Sequence, residues 1–295
     1  MIEESFERDL ECLLNIVPYI PFNILNKLNT SEYDIFNRQL EVMEGTIIFV
    51  DIVQFVPLVF SCIKDGNQGV EDVNTILSEY YTQLINPIRQ LGGTVYQFAG
   101  DSILVGFNKL ANESSLENIN RALSSMSEFF MNLELFNRDF MPKFNRVIEV
   151  RVGISFGFYY QILIGSKEFS YSSVITGDAV RQAVVAESNS DPDTISVHSS
   201  ILNIKELDAT KKSSEIYTLK ETYFESVDYD VFLNIPQCLE NPEFFNMCSM
   251  FINPGVYQRV LTGYEILTAE HREVTSLLLK FDGINYNQIG MEEFY

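Results

Sequence analysis

A tight turn at Ala99-Gly100-Asp101 constrains the fold of this chain more than any other feature of its sequence. The turn separates two short apolar runs, residues 94–98 and 102–107, which carry the β-branched and aromatic residues typical of strands. Two such runs around a glycine-containing turn predict a β-hairpin. Asp101 would then lie at the hairpin tip.

Regular segments also precede the hairpin. Residues 45–51 form an apolar run that predicts a buried strand ending at Asp51. Apolar residues then recur at helical spacing from Gly69 to Leu91, and Gly92-Gly93 ends this predicted helix.

The later part of the chain continues the alternation. Predicted strands cover residues 148–156, 161–164, 174–175 and 194–197. Predicted helices cover residues 116–135 and 178–188. This order predicts an α+β fold of the ferredoxin-like type, with a mostly antiparallel sheet and helices on one face.

Composition excludes several classes of protein. With 295 residues, 46% of them hydrophobic, the chain can bury a sizeable core. Its formal net charge of −21 gives a surface that repels phosphate backbones, so nucleic-acid binding is not expected. A ligand that carries phosphate groups would meet the same repulsion, so we expect metal cations at any site for such a ligand.

The sequence gives no indication of export or membrane insertion. Its first residues are acidic rather than basic, and no apolar run reaches the length of about 18 residues that a membrane span needs. Four cysteines occur without a CxxC pair, which is typical of reduced thiols in a cytoplasmic protein. We therefore expect a cytoplasmic protein with no membrane span.

Asp51 and Asp101 form a candidate metal site. In a ferredoxin-like sheet the first strand and the hairpin can be neighbours, so the two carboxylates can converge. Mg²⁺ prefers a few carboxylates plus substrate phosphates, and two such ions can activate a hydroxyl and hold a leaving group. The alternative for Asp101 alone is a turn-forming role. Asp51 stands among apolar residues, where an acid is costly without a compensating partner.

Both acids belong to four motifs that occur in order between residues 44 and 200. The motifs are Phe49-Val-Asp-Ile-Val-Gln-Phe55, Phe98-Ala-Gly-Asp101, Arg151-Val-Gly-Ile-Ser-Phe-Gly157 and Val174-Ile-Thr-Gly-Asp-Ala-Val180. The set resembles the class III adenylyl and guanylyl cyclases, and among them the soluble, bicarbonate-sensitive adenylyl type. The resemblance implies a class III cyclase catalytic domain on a ferredoxin-like fold.

The resemblance also implies a reaction, the conversion of ATP to cyclic AMP and pyrophosphate by a two-metal mechanism. Asp51, Asp101 and the backbone of Ile52 would hold two Mg²⁺ ions, with Mn²⁺ or Ca²⁺ as possible replacements.

Further residues would bind the substrate. The resemblance assigns the backbone at Val53, Gln54 and Phe55, together with Gly100, to nucleotide binding. It assigns Arg151 to a phosphate contact. Taken alone, Arg151 could equally be a strand residue that faces solvent or forms an ion pair.

Departures from the family pattern indicate one half of a paired enzyme. Such cyclases work as two homologous halves, one with both acids and the other with an Asn-x-x-x-Arg pair and base-reading residues. Here Arg181 and Val185 stand at the Asn and Arg positions, and Gln97 and Val174 at the base-reading positions. We expect the metal-bearing half, which needs a complementary half from beyond residue 295 or from another chain. The isolated chain or a homodimer would be weak or inactive.

Other departures concern the phosphate turn and regulation. Gln54 and Val56 replace a glycine and a small hydroxyl residue in that turn. Gln97 and Val184 stand where the soluble type has a lysine and an arginine, so bicarbonate activation is not expected.

The predicted domain layout has four parts. Residues 1–43 are a helical lead-in, residues 44–220 the catalytic domain, and residues 221–242 a linker. Residues 243–295 resemble the opening helix and first strand of a second half, in which Lys280 takes the place of Asp51. A faint repeat of the two segments supports this layout.

Two alternative functions remain open from the sequence. One is a catalytically degenerate module of the same fold, which binds nucleotide or regulates a partner half. The other is a different two-metal phosphoryl enzyme, such as a diguanylate cyclase or a polymerase palm. The Phe98-Ala-Gly-Asp101 hairpin alone would allow it, whereas the motif at 174–180 argues against it.

Overall fold

A computed structural model describes residues 17, 20–29, 40–64, 66–166, 170–227, 242–254 and 257. The helices are α1 (Phe22–Asn29), α2 (Phe55–Ile63), α3 (Asn67–Gln90), α4 (Ser115–Asp139), α5 (Asp178–Ser188), α6 (Ser199–Leu202) and α7 (Pro242–Ser249). The strands are β1 (Leu40–Ile52), β2 (Thr94–Ala99), β3 (Ser102–Asn108), β4 (Val150–Ser166), β5 (Ser170–Thr176), β6 (Thr194–His198), β7 (Ala209–Lys211) and β8 (Ile216–Leu219).

These strands form one sheet in the order β2-β3-β1-β4-β6-β8-β7, with β5 paired to β4 off this path. The pairs β1–β3, β2–β3, β6–β8 and β7–β8 are antiparallel, whereas β4–β6 is parallel. The prediction of an α+β fold with a mostly antiparallel sheet is therefore confirmed.

Two strands differ in extent from their predictions. β1 begins at Leu40, so it includes residues that the sequence assigned to the helical lead-in. β4 runs from Val150 to Ser166 as one strand, where the sequence indicated two.

The described residues divide into two compact units. The larger unit comprises the described parts of Met43–Tyr159 and Ile175–Val231, and the smaller comprises those of Met1–Val42, Tyr160–Val174 and Phe232–Tyr295. The predicted linker lies mostly, and the segment around Lys280 wholly, outside the described residues.

The core of the larger unit lies between the sheet and the two long helices, α3 and α4. Alternate residues of β1, namely Ile48, Val50 and Ile52, belong to this core, as a strand with one face against helices requires. At the start of α4, Ser114 and Glu117 form a reciprocal capping box. The shared core fixes β1 and the long helices relative to one another, and the capping box stabilises the start of α4.

Helix α5 packs on the opposite face of the same sheet. Its Ala183 belongs to a smaller apolar cluster that also contains Ile47 of β1. Gly153 of β4 permits the approach, because a Cβ there would overlap the backbone of Ala183 and Glu187. The two long helices follow the predicted one-face arrangement, and α5 is an addition to it.

The smaller unit has its own apolar cluster, built from α1, α7 and the end of β4. Its buried residues include Ile24, Leu28, Leu163 and Phe244. None of the helices in the described ranges is long and apolar enough to span a membrane.

Candidate active site

Asp51 and Asp101 lie next to each other because β1 and β3 are neighbouring strands. Val50 of β1 pairs with Ile103 of β3, which places the end of β1 beside the start of β3. The hydroxyl of Ser102 donates to Oδ1 of Asp51 at 3.0 Å. Partial burial raises the pKa of Asp101, and the neighbouring Asp51 carboxylate raises it further against a backbone hydrogen bond that lowers it. The structure thus brings the two predicted acids together.

The hairpin tip that carries Asp101 is held by a contact from α3. The turn has Gly100 and Asp101 at its centre, and Gly100 has φ of 71°, as a type II′ turn requires of its first central residue. The hydroxyl of Tyr81 donates to the Gly100 carbonyl at 3.2 Å. The Tyr81 ring also packs edge-on against Phe98, with centroids 5.2 Å apart.

The pKa values of the two tyrosines of α3 are affected by the negative charge at this site. Burial raises the pKa of Tyr81 to about 12, and Asp101 and Asp51 add to the shift. Burial likewise raises the pKa of Tyr80, with added contributions from Tyr81 and then the same two acids. The Tyr80 hydroxyl is buried and has no hydrogen-bond partner among the described residues.

Arg151 is the third predicted residue at the site, and it forms ion pairs with two acids. Its Nη2 donates to Oδ2 of Asp51 at 2.8 Å, and its Nε lies 3.1 Å from Oε1 of Glu187. The hydrogen bond to Asp51 is the main reason that the pKa of Arg151 is raised. This ion pairing is one of the alternatives that the sequence left open for Arg151.

Glu187 is a residue of the candidate site that the sequence motifs did not predict. It lies on α5 with a side chain only 7% exposed, and burial raises its pKa against the opposing effect of Arg151. Its position in a short helix, next to Ala186 and one turn after Ala183, could have identified it. Both alanines are buried, and a carboxylate that is buried beside them needs a cation nearby.

The turn after β1 contains the remaining predicted residues. The Val53 amide donates to the carbonyl of Glu149 at 2.8 Å, so this amide is used within the fold and the expectation that it binds phosphate needs correction. Helix α2 begins at Phe55, and the amides of a first helical turn have no acceptor within the helix. The Phe55 amide therefore remains suited to an anion. Ile52 is buried at the end of β1.

Gln54 is held in a backbone conformation that favours glycine. Its φ is 55°, in the left-handed region, at the position where the family pattern has a glycine. Gln54→Gly is expected to raise the free energy of unfolding by up to about 1 kcal/mol, because the left-handed conformation costs a residue with a Cβ roughly that amount. Urea denaturation measures the difference.

A matched control for this change is Gln83→Gly, in the interior of α3. Glycine there is expected to lower the free energy of unfolding by about 1 kcal/mol. Equal destabilisation by the two glycines would contradict the argument for strain at Gln54.

The donor set suits a hard divalent cation. Within the described ranges no group of three or more His, Cys, Asp or Glu residues is placed to hold a metal ion. Asp51 and Asp101 offer two neighbouring carboxylates, which matches the preference of Mg²⁺ for few protein ligands completed by water and phosphate oxygens. Burial is the main reason that the pKa of Asp101 is raised, and the neighbouring Asp51 carboxylate adds a repulsion that a cation would relieve.

Most of the positions that depart from the family pattern are exposed, whereas Val174 on β5 is partly buried. Gln97 is exposed on β2. On α5, Val184 and Val185 are 36% and 41% exposed, and the exposed Arg181 pairs with Asp178 at 3.2 Å. None of these side chains can therefore be explained as core packing.

Comparison with known proteins identifies the family. The family model described as "Adenylate and Guanylate cyclase catalytic domain" matches residues 38–228, well over half of the chain. The chain belongs to the adenylate and guanylate cyclase catalytic domain family. The resemblance seen in the four sequence motifs is thereby confirmed.

One curated relative of this cyclase domain is human adenylate cyclase type 10. It is 22% identical over 218 residues, which are 72% of this chain. The match spans only 13% of the length of the human protein.

Two solved structures share the fold. The adenylyl cyclase CyaB from P. aeruginosa has a TM-score of 0.51 at 19% identity, covering 62% of this chain and 96% of its own. A bacterial light-regulated adenylyl cyclase has a TM-score of 0.54 at 19% identity, covering 77% of this chain and 64% of its own. These structures support the α+β cyclase fold.

Proposed function

We propose that this cyclase domain is the metal-bearing half of an adenylyl cyclase, which converts ATP to cyclic AMP and pyrophosphate. The observation that carries the proposal is the convergence of Asp51, Asp101 and Arg151 where β1 ends and β3 and β4 begin, although Asp51 and Arg151 are 100 residues apart. Carboxylates that suit divalent cations and an arginine that suits phosphate are the groups such a reaction needs.

The proposed metal ligands are Asp51, Asp101 and the carbonyl of Ile52. Two bound Mg²⁺ ions would lower the pKa of the ribose 3′-hydroxyl and stabilise charge on the leaving pyrophosphate. Asp51 is kept in place by Ser102, and Asp101 by the turn that Tyr81 contacts. These contacts preorganise the acids, so little rearrangement is needed when substrate binds.

Arg151 and the backbone at Gln54, Phe55 and Gly100 are the proposed triphosphate ligands. The Arg151 side chain is 34% exposed, so its guanidinium can contact a bound anion as well as Asp51. The Phe55 amide at the start of α2 adds a donor for an anion.

This half lacks transition-state groups that the family places on its partner. Arg181 and Val185 occupy the Asn and Arg positions on α5, and Val185 carries no charge or hydrogen-bond donor in its side chain. We therefore propose a complementary cyclase half, in the same gene product or in another chain, as the partner that completes the site.

Reconstitution tests this function. The chain is expected to form cyclic AMP from ATP at least about 100-fold faster with a complementary half that carries Asn-x-x-x-Arg than alone, since one missing transition-state donor costs about that much. Cyclic nucleotide formation is followed by mass spectrometry, with ATP and GTP compared in Mg²⁺ and in Mn²⁺. A complementary half lacking its Arg is the control. Failure of the intact pair to form either cyclic nucleotide would overturn the proposal.

A catalytically degenerate module is the second candidate. The observation that favours it is the left-handed conformation of Gln54 in the phosphate-facing turn, where a side chain replaces glycine. This candidate predicts binding of ATP analogues with Mg²⁺ or Ca²⁺ and no turnover beside a competent second half. Calorimetric titration combined with the reconstitution assay separates the two functions.

A further inference from the structure

Arg151 is held between two carboxylates in different ways. Its Nη2 donates a hydrogen bond to Asp51 at 2.8 Å, and its Nε lies 3.1 Å from Oε1 of Glu187. Neither Nε nor Oε1 has an aligned hydrogen-bond partner in the described part of the chain, so the second contact is electrostatic. The guanidinium is thus directed to Asp51 by a hydrogen bond and kept nearby by the charge of Glu187.

Both oxygens of Asp51 are engaged by donors. Oδ1 accepts from Ser102 at 3.0 Å and Oδ2 accepts from Arg151 at 2.8 Å. A divalent cation on Asp51 would need a lone pair of the same carboxylate, and it carries charge of the same sign as Arg151. The two cations therefore oppose each other at this residue.

The position of Glu187 is fixed independently of Arg151. Gly153 lies two residues after Arg151 on β4, on the same face of the strand, and α5 packs there against its bare Cα. The Glu187 side chain is 7% exposed, compared with 18% for Asp51. Glu187 is therefore a fixed negative charge beside Arg151 and not a mobile surface acid.

We propose that Arg151 is an internal counter-ion of Asp51, which competes with divalent cations and leaves Asp51 when one binds. Glu187 is the positioning residue that retains the displaced guanidinium, which then faces the polyphosphate of the substrate. This inference rests on the function proposed above and adds to it an order of events, in which metal entry releases the phosphate-binding arginine.

Charge counting gives the sign of the effect. Asp51, Asp101 and Glu187 carry three negative charges against one positive charge of Arg151, so removing Arg151 leaves a more attractive site for a cation. A role limited to phosphate binding predicts no change in metal affinity when nucleotide is absent.

The test is Mn²⁺ binding to the full chain without nucleotide, measured by the electron paramagnetic resonance signal of free Mn²⁺. Arg151→Gln is expected to lower the Kd for Mn²⁺ about two- to fivefold, the range expected for losing a partly exposed ion pair. The control is Arg146→Gln, which removes the same charge from an exposed arginine bonded to the Ser61 hydroxyl. This control is expected to leave the Kd unchanged.

A second variant separates competition from net charge. Arg151→Gln combined with Glu187→Gln keeps the net charge of the native chain, and it removes the buried Glu187 carboxylate together with its cation. It is expected to bind Mn²⁺ more tightly than the native chain, whereas Glu187→Gln alone is expected to bind it more weakly.

The outcomes distinguish this inference from the function on which it rests. If the native chain binds Mn²⁺ and neither variant lacking Arg151 binds it more tightly, the competition is overturned while the two-metal function stands. If neither the native chain nor any variant binds Mn²⁺, both are overturned.

Discussion

Asp101→Asn, in the chain paired with a competent complementary half, is expected to lower the rate of cyclic AMP formation by at least about 100-fold. The change removes one of two carboxylates that would hold the metal ions, and metal stabilisation of transition-state charge contributes several kcal/mol. The assay is initial-rate formation of cyclic AMP at saturating ATP. Asp51→Asn is expected to lower the rate by a similar factor, and it also removes the charge that Arg151 faces.

The same variant is not expected to lose stability. The pKa of Asp101 is raised in the folded chain, so folding stability falls as the pH rises from the unfolded-state pKa to the folded-state pKa. At neutral pH the ionised Asp101 carboxylate therefore destabilises the folded state, and a neutral asparagine removes this destabilisation. Asp101→Asn should show an unchanged or higher melting temperature, which separates a loss of catalysis from a loss of structure.

Asp178→Asn is the matched control, because Asp178 is an exposed acid that also faces an arginine, Arg181. It is expected to leave the rate unchanged. Equal activity of the Asp51, Asp101 and Asp178 variants would show that the carboxylate pair is not part of any catalytic site.

Arg121→Met is expected to lower the free energy of unfolding by about 3–5 kcal/mol, the cost of breaking a buried ion pair by removing one partner. Arg121 is only 1% exposed and joins three segments of the larger unit. It pairs with Glu113 through Nε at 2.8 Å and through Nη2 at 3.0 Å, and it donates to the carbonyls of Leu91 at 2.8 Å and Asn108 at 2.9 Å. Its guanidinium also lies 5.4 Å from the ring centroid of Phe107.

Urea denaturation measures this loss, and two further variants show its origin. Arg138→Met, near the exposed end of the same helix, removes an ion pair with Asp139 and is expected to change stability by less than about 1 kcal/mol. Arg121→Met combined with Glu113→Gln is expected to lose less than the sum of the single changes, because neither partner is then left as a buried charge. A loss below about 1 kcal/mol for Arg121→Met alone would contradict the proposed network.

Local sequence patterns predicted the elements around the candidate site well. The predicted hairpin around Gly100 is the β2–β3 hairpin of the structure, and the predicted helix from Gly69 to Leu91 corresponds to α3. Periodicity and turn residues act within a few positions along the chain, so they could be read without knowing the fold. The boundaries were less accurate, as the early start of β1 at Leu40 shows.

The sequence by itself determined the class of fold and the family, and it predicted the two acids, because hydrophobic periodicity, turn chemistry and ordered motifs are local properties of the chain. Only the tertiary structure decided the partners of Arg151, the use of the Val53 amide within the fold, the placement of α5 on the second face and the buried network of Arg121. Each of these depends on which distant segments approach one another, and on which buried charges and amides must then find partners. Such pairings follow from the register and packing of the sheet, which no short stretch of sequence specifies.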